Sequence, residues 1–268
     1  MKHIEEKQKG LLSYLEGFEK LAVAFSGGVD SSFLLYMAQK ALPGRVLAVT
    51  VVSPLFAKWE REDARAFAQT LGIEQLVIRT NPLENPNIAA NPKDRCYHCK
   101  KQLFGEIIRA AKAQGYTTVA DGSNMDDLDD YRPGAKAVRE LGIISPLQAC
   151  GLFKRDIRCL SKQMGLDIFD KPSYACLASR IPYGEALSEQ KLEQIEQAEV
   201  FLHGLGFYDV RVRHHGQLAR IEAAQGQLDA LLAHAGQVVA YLKQLGYIYV
   251  TLDLGGYRMG SLNETTKE

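Results

Sequence analysis

The stretch Leu21-Ala22-Val23-Ala24-Phe25-Ser26-Gly27-Gly28-Val29-Asp30-Ser31-Ser32 decides the architecture. Its apolar first half has the length of a buried strand. A glycine pair follows, and then a helix is expected from about Ser31 to Ala41. Gly27 and Gly28 let the backbone approach an anion with no Cβ in the way. The helix start adds free N–H groups and the positive end of its dipole. Ser26, Ser31 and Ser32 supply hydroxyl donors. Asp30 is out of place beside phosphates unless it orients the loop or meets a magnesium ion. The Gly-Lys-Ser/Thr ending of a Walker loop is missing, which argues against simple γ-phosphate cleavage. A lone Gly-Gly would usually read as an ordinary turn, and the residues by themselves leave that reading open beside a phosphate loop.

Working outward, a short helix is expected over residues 11–20 and a second buried strand over Val46–Val52. Helical residues 58–71 lead to a strand at Gln75–Arg79, and a helix at 101–114 precedes Thr117-Thr118-Val119-Ala120. Alternating strands and helices predict a parallel sheet covered on both faces. Ligands then sit at the carboxyl ends of the strands, here Ser26, Ser53 and Asp121. After about residue 170 the pattern changes. A helix capped by Ser188 presents Leu192, Ile195 and Leu202 on one face, and strands follow at 208–213 and 218–222. A helix at 227–243 and a strand at 247–252 complete the chain, whose tail from Asn263 reads as disordered. The expected fold is therefore an α/β parallel-sheet domain over residues 1–170 and a smaller α+β domain over 171–268.

Thirty-two basic residues balance thirty-two acidic ones, so no global field draws the chain to nucleic acid or an anionic membrane. The charged start Met1-Lys2-His3-Ile4-Glu5-Glu6-Lys7 does not resemble a signal peptide, and no apolar run reaches membrane-span length. A cytoplasmic protein is expected. In a reducing compartment its five cysteines are metal ligands, nucleophiles or core residues rather than a disulfide frame.

Cys96 and Cys99 form a Cys-x-x-Cys pair flanked by Arg95 and Lys100, which favour thiolate. Such a pair can share one metal, yet a structural zinc site needs two more ligands; two incidental loop cysteines remain an alternative. Cys176 lies between the two domains beside Ser179 and Arg180, which suit an anion and could lower its pKa. A small buried hydrophobe is the plain alternative. Cys150 and Cys159 are assigned to structure. In the second domain, alternation sets Arg211 and Arg213 on one strand face, with Arg220 and Glu222 on the same face of the next strand. Such an array suits a phosphate monoester; a solvated polar face is equally compatible with the pattern. The acidic run Asp126-Asp127-Leu128-Asp129-Asp130 reads as a solvated loop, or a metal or ribose contact.

Taken together, these stretches resemble one family. The heptapeptide Ser26–Ser32 resembles the PP-loop of the ATP pyrophosphatases. Arg95-Cys96-Tyr97-His98-Cys99-Lys100, Asp121-Gly122-Ser123-Asn124, Asp130-Tyr131-Arg132-Pro133-Gly134 and Ser145-Pro146-Leu147 extend the match. Ala175-Cys176-Leu177-Ala178-Ser179-Arg180, Arg211-Val212-Arg213-His214-His215, Ala219-Arg220-Ile221-Glu222, Gly256-Tyr257-Arg258 and Gly260-Ser261 complete it. The chain resembles LarE, the ATP-dependent sulfur transferase family of nickel-pincer nucleotide biosynthesis. The resemblance implies a PP-loop domain that binds ATP and Mg2+ through Ser26, Gly27, Gly28, Asp30, Ser31, Ser32, Asp121 and Asn124. It implies a small-molecule nucleotide substrate, pyridinium-3,5-biscarboxylic acid mononucleotide, whose carboxylates are adenylated and then thiolated. Cys176 would be the sulfur donor, Arg180, Arg211 and Arg213 would hold the substrate phosphate, and Glu199, Glu222 and Asp229 match positions suited to a divalent metal. Alternatively Cys96, Cys99 and Cys176 would ligate a [4Fe–4S] cluster carrying the sulfide; the Cys-x-x-Cys pair tilts toward that route, and both are held. A homo-oligomer is implied. Transfer-RNA thiolation and ammonia-dependent ligation share the loop; neutral charge counts against the first, and the second has no use for Cys176.

Overall fold

The computed structural model describes residues 2–128, 133–171 and 175–258. Expectations placed on Asp129 to Arg132, Pro172 to Tyr174, Gly260-Ser261 and the tail from Asn263 lie outside the described residues. In chain order the elements begin α1 (Lys2–Glu16), β1 (Leu21–Ala24), α2 (Val29–Ala41), β2 (Val46–Val52), α3 (Lys58–Thr70) and β3 (Glu74–Arg79). They continue with α4 (Pro86–Ala89), α5 (Arg95–Ala113), β4 (Val119–Ala120), α6 (Pro133–Glu140), α7 (Pro146–Ala149) and α8 (Lys154–Gln163). The last are α9 (Glu189–Gly204), β5 (Val210–His215), β6 (Leu218–Ala223), α10 (Leu228–Ala233), α11 (Ala235–Gln244) and β7 (Tyr249–Leu252).

The chain forms two compact units. The first comprises Met1–Pro82 and Asp94–Tyr174; the second comprises Leu83–Lys93 and Ala175–Glu268. The short segment carrying α4 thus joins the later unit. It is tied there by Asn91, whose side-chain amide donates to the carbonyls of Ile181, Pro182 and Glu185.

The first unit is the expected parallel sheet, ordered β3-β2-β1-β4. Strand alternation divides its side chains between two apolar layers. Leu21 and Val23 of β1 and Val46 and Ala48 of β2 face a core with Phe33, Leu34, Leu11 and Leu15 of the helices. Ala22, Leu47 and Val49 point to the opposite side, against Ile107 and Ala111 of α5 and Val138 of α6. Burying each large aliphatic side chain stabilises by about 1.5–3 kcal/mol. The first helix runs over Lys2–Glu16 rather than 11–20, because Ile4, Leu11 and Leu15 recur at helical spacing and pack on the same core. The helix expected at 101–114 starts at Arg95, so Cys96 and Cys99 lie three positions apart within its first five residues and not in a loop.

The second unit is a three-stranded sheet ordered β5-β6-β7, with β5–β6 antiparallel and β6–β7 parallel. Val210, Val212, Ala219, Ile221 and Ala223 line one face and pack with Ala198, Leu202, Val238 and Leu242. Ser188 caps α9 as expected, its Oγ accepting from the Lys191 N–H at 3.3 Å; such a cap is worth about 1 kcal/mol. The single helix expected at 227–243 is two, α10 and α11, meeting at His234, which ends one and opens the other. The bend lets Leu231 and Val238 both reach the core.

Candidate active site

In the first unit, β1 is flanked by β2 on one side and by the parallel β4 on the other, so the strand order reverses and a switch point lies between β1 and β4. A crevice outside the carboxyl ends of the strands is expected at such a switch point. The phosphate loop follows β1 and Asp121–Asn124 follows β4, which brings the two stretches together there. Ser31 organises the loop. Its Oγ donates to the Gly28 carbonyl at 3.2 Å, lies 3.2 Å from Ser26 Oγ and accepts from the Ser26 N–H. Gly28 caps α2 without a side-chain hydrogen bond, leaving the helix start open.

Two glycines are required sterically. Gly27 has φ 81°, and a Cβ there would lie 2.8 Å from Ala64 Cβ. A Cβ on Gly122 would lie 2.9 Å from the Ser31 backbone nitrogen. Close approach at Gly122 thus seats the β4 turn against the loop. Two polar atoms there are buried without a hydrogen-bond partner, Ser32 Oγ and Asp30 Oδ1. Buried orphans are costly, and the phosphates and cation of Mg-ATP would satisfy a hydroxyl donor and a carboxylate oxygen.

Asp30 Oδ2 accepts from Lys154 Nζ, a residue at the start of α8 whose own N–H donates to Asp126 Oδ2 at 2.6 Å. Burial pushes the Asp30 carboxyl above the usual aspartate range, and Lys154 opposes that shift. Neither Lys154 nor its support by Asp126 was legible beforehand; the available signal was the helix start at Phe153, whose N–H donates to Asp156 Oδ2. Asp121 accepts from the hydroxyls of Ser123 and Ser145, both at 2.6 Å. Asn124 Oδ1 accepts from the Asp126 N–H. Asp126 is exposed, as a solvated loop predicts, and it also orders the turn by taking the Lys154 N–H.

In the second unit, the array on β5 and β6 is not a solvated face. Arg211, Arg213 and Glu222 are at most 6 % exposed, and register sets Arg211 opposite Glu222 and Arg213 opposite Arg220. Arg213 pairs with Glu222 Oε2 at 2.7 Å and donates to the Ser179 carbonyl at 2.8 Å; Arg220 takes Glu222 Oε1. Arg211 stacks on Tyr257, 4.8 Å from the ring centroid, and donates to the Val210 carbonyl. Burial, with the neighbouring Arg180 guanidinium, pulls Arg211 below the ordinary arginine range.

Arg180 is placed differently from expectation. Its Nε and Nη2 both reach Glu199 at 2.9 Å, and Nη1 donates to the carbonyls of Ala175 and Cys176 and to Ser179 Oγ. Glu199 also accepts from the Val212 N–H of edge strand β5. Burial alone would raise the Glu199 carboxyl, but Arg180, Arg211 and that N–H hold it below the usual range. The fork of Arg180 is thus spent internally and not directed at a substrate phosphate. Likewise Glu199 and Glu222 hold arginines, and Asp229 sits in the first turn of α10, where a carboxylate suits the helix dipole. Among the described residues no group of three or more His, Cys, Asp or Glu side chains is gathered to hold a metal ion. That bears on the Glu199, Glu222 and Asp229 set. Cys176, half-buried, precedes the turn Leu177–Arg180.

Comparison with known proteins places this geometry. The family model described as NAD synthase matches residues 3–100, which hold the phosphate loop. A protein of Synechocystis sp., uncharacterised, is 42% identical over 262 residues, 97% of this chain and 98% of that one. The pyridinium-3,5-bisthiocarboxylic acid mononucleotide synthase of Lactiplantibacillus plantarum is 38% identical over 267 residues, 99% of this chain and 96% of its own. The chain belongs to the LarE family. It is an enzyme of that family, with the PP-loop architecture of an ATP-using domain. Likeness to the GMP synthase of Campylobacter lari is lower, 25% over 224 residues, 72% of this chain and 42% of that one. LarE membership therefore extends through the second unit, where the arginine array and Cys176 lie. Among the described residues no helix is long and apolar enough to cross a membrane.

Proposed function

We propose that this LarE-family chain adenylates the carboxylates of pyridinium-3,5-biscarboxylic acid mononucleotide with ATP and converts them to thiocarboxylates. The observation that carries the reading is the phosphate loop with Ser32 Oγ and Asp30 Oδ1 buried and unpartnered. It stands in a chain aligned end to end with a synthase of that bisthiocarboxylic acid mononucleotide. Ser26, Gly27, Gly28, Ser31 and Ser32 grip the ATP phosphates, Asp30 faces Mg2+, and Asp121 and Asn124 border the nucleotide. Arg211 and Arg213 hold the substrate phosphate. Supporting this, Arg211 and Arg213 are buried on neighbouring positions of one strand face, and guanidinium forks suit a phosphate monoester.

A carboxylate resists nucleophiles until one oxygen becomes a good leaving group. The substrate carboxylate attacks the α-phosphorus, pyrophosphate leaves with the electron pair of the broken P–O bond, and an acyl adenylate remains. The Cys176 thiolate then attacks the acyl carbon and AMP departs, forming a thioester to the protein. A base removes the Cys176 Cα proton; that electron pair forms the Cα–Cβ double bond while Cβ–S breaks with its pair kept by sulfur. The products are a thiocarboxylate and dehydroalanine. In the second reading, favoured by the thiols of Cys96 and Cys99 on neighbouring positions of α5, the sulfur would be a cluster-bound sulfide.

Incubation with ATP and the biscarboxylate, followed by intact mass and nucleotide analysis, tests both. Pyrophosphate and AMP release with a protein lighter by the elements of hydrogen sulfide supports the sacrificial thiol. Unchanged mass with thiocarboxylate formed only after anaerobic iron and sulfide reconstitution supports the cluster. Pyrophosphate release with no sulfur in the product would leave an adenylating ligase, and thiolation of transfer RNA would replace the assignment outright.

A further inference from the structure

Each atom of one guanidinium in the second unit is engaged around the segment that bears the thiol. Arg180 Nη1 lies 2.6 Å from the Ala175 carbonyl, 3.2 Å from that of Cys176 and 3.0 Å from Ser179 Oγ. The Cys176 carbonyl also accepts from the Ser179 N–H at 2.9 Å, closing the turn. On its other edge Arg180 forms a two-point pair with Glu199 of α9, both side chains 2 % exposed. Glu199 Oε1 reaches on to the Val212 N–H at 3.0 Å, between Arg211 and Arg213. Arg213 returns to the same turn by donating to the Ser179 carbonyl at 2.8 Å. The backbone on both sides of the thiol is thereby fastened to the strand whose arginines are proposed to take the substrate phosphate. Ionised side chains and planar forks fix direction as well as distance.

From this circuit we propose that Arg180 and Glu199 are positioning residues that set Cys176 at a fixed place relative to Arg211 and Arg213. Neither touches the reacting atoms. Their work is to keep the sulfur and the phosphate anchor of one substrate molecule in a constant relation, so that the activated carbonyl is presented to the thiol. The assignment replaces an anion-binding role for Arg180 and a metal-binding role for Glu199. It rests on the proposed sulfur transfer, and it accounts for a buried ion pair at a place where apolar residues would serve stability equally well.

The test uses the full chain with Arg180→Met/Glu199→Met, which removes both charges at similar volume, and with Arg180→Lys, which keeps the charge and loses the fork. The paired apolar replacement leaves neither half of the ion pair behind but takes a partner from the Val212 N–H and the Ala175 carbonyl, so the double variant is expected to fold and to melt below the parent. A displacement of reacting groups by about 1 Å is enough for a hundredfold loss. Thiocarboxylate formed per pyrophosphate released should accordingly fall at least about tenfold in both variants. The rate at which iodoacetamide alkylates Cys176, read by peptide mapping, should change at least about threefold, since a thiol released from its turn samples other surroundings. A double variant that transfers sulfur per pyrophosphate as the parent does overturns the proposal. If the parent transfers no sulfur, the proposed function fails on its own. The alkylation rates then still decide the positioning: unchanged rates in Arg180→Lys overturn it even where the double variant does not fold.

Discussion

Lys154 Nζ donates to one carboxylate oxygen of Asp30 while the other, Oδ1, is buried without a hydrogen-bond partner. The lysine comes from α8 and the aspartate from the first turn of α2, 124 positions apart. Asp30 is therefore half-satisfied at the point where a cation and phosphates would arrive.

Removing the lysine should move an acid limb. Burial raises the Asp30 carboxyl, and the charge and hydrogen bond of Lys154 lower it again. Because the folded value lies above the ordinary 3.8, the cost of ionising Asp30 appears as pH rises through that raised value. Below it, Asp30 is neutral and a poor magnesium ligand. Lys154→Met should shift the acid limb of ATP-dependent pyrophosphate release to higher pH and lower the plateau by about 10- to 100-fold. A pH–rate profile with an unmoved acid limb would separate Asp30 from the reaction.

A methyl group at either glycine of the crevice should be poorly tolerated. Gly122→Ala places a Cβ 2.9 Å from the Ser31 nitrogen, and Gly27→Ala adds a left-handed φ to a clash with Ala64. Each should cost about 1–3 kcal/mol of stability and weaken ATP binding, as seen by thermal melting and nucleotide titration. Gly72→Ala, with φ 62° but nothing within 4 Å, is the comparison; it should lose only about 1–2 kcal/mol and keep its ATP affinity.

Breaking the buried pair on the β5–β6 hairpin should be severe. Glu222 is 1 % exposed and receives both Arg213 and Arg220. Glu222→Ala strands Arg213 in a dry site, and denaturant unfolding should show a loss of about 3–5 kcal/mol. A loss under 1 kcal/mol would mean that water reaches the face.

Acid should weaken the second unit. Burial lowers His203 and His214 below the ordinary 6.5. His214 is faced by the Tyr247 hydroxyl at 3.3 Å and by Glu185 at 3.7 Å, with Lys191 and His215 near it. Folded values below the unfolded one mean that the unfolded chain binds more protons. Stability is then present above pH 6.5 and lost as pH falls through the lowered values. The melting temperature should drop across that window, and less in His214→Gln. Equal acid sensitivity of parent and variant would assign the effect elsewhere.

Much of the fold was written locally. The apolar run before Ser26, the glycine pair and the alternation of strands and helices give the parallel sheet, because strand and helix periods are properties of short windows. The Ser188 cap and the Arg211/Arg213 alternation were legible for the same reason. The helix boundary at Arg95 was not read, although Asp94, a residue type that favours helix starts, stands at its N-cap. What the sequence could not contain was partnership across long separations. That Lys154 meets Asp30, that Gly122 presses on Ser31, and that Arg180 turns to Glu199 instead of outward all depend on which elements fold together. Side-chain chemistry is local information, whereas the choice of partner for a buried charge is made by the low-dielectric surroundings that tertiary packing creates.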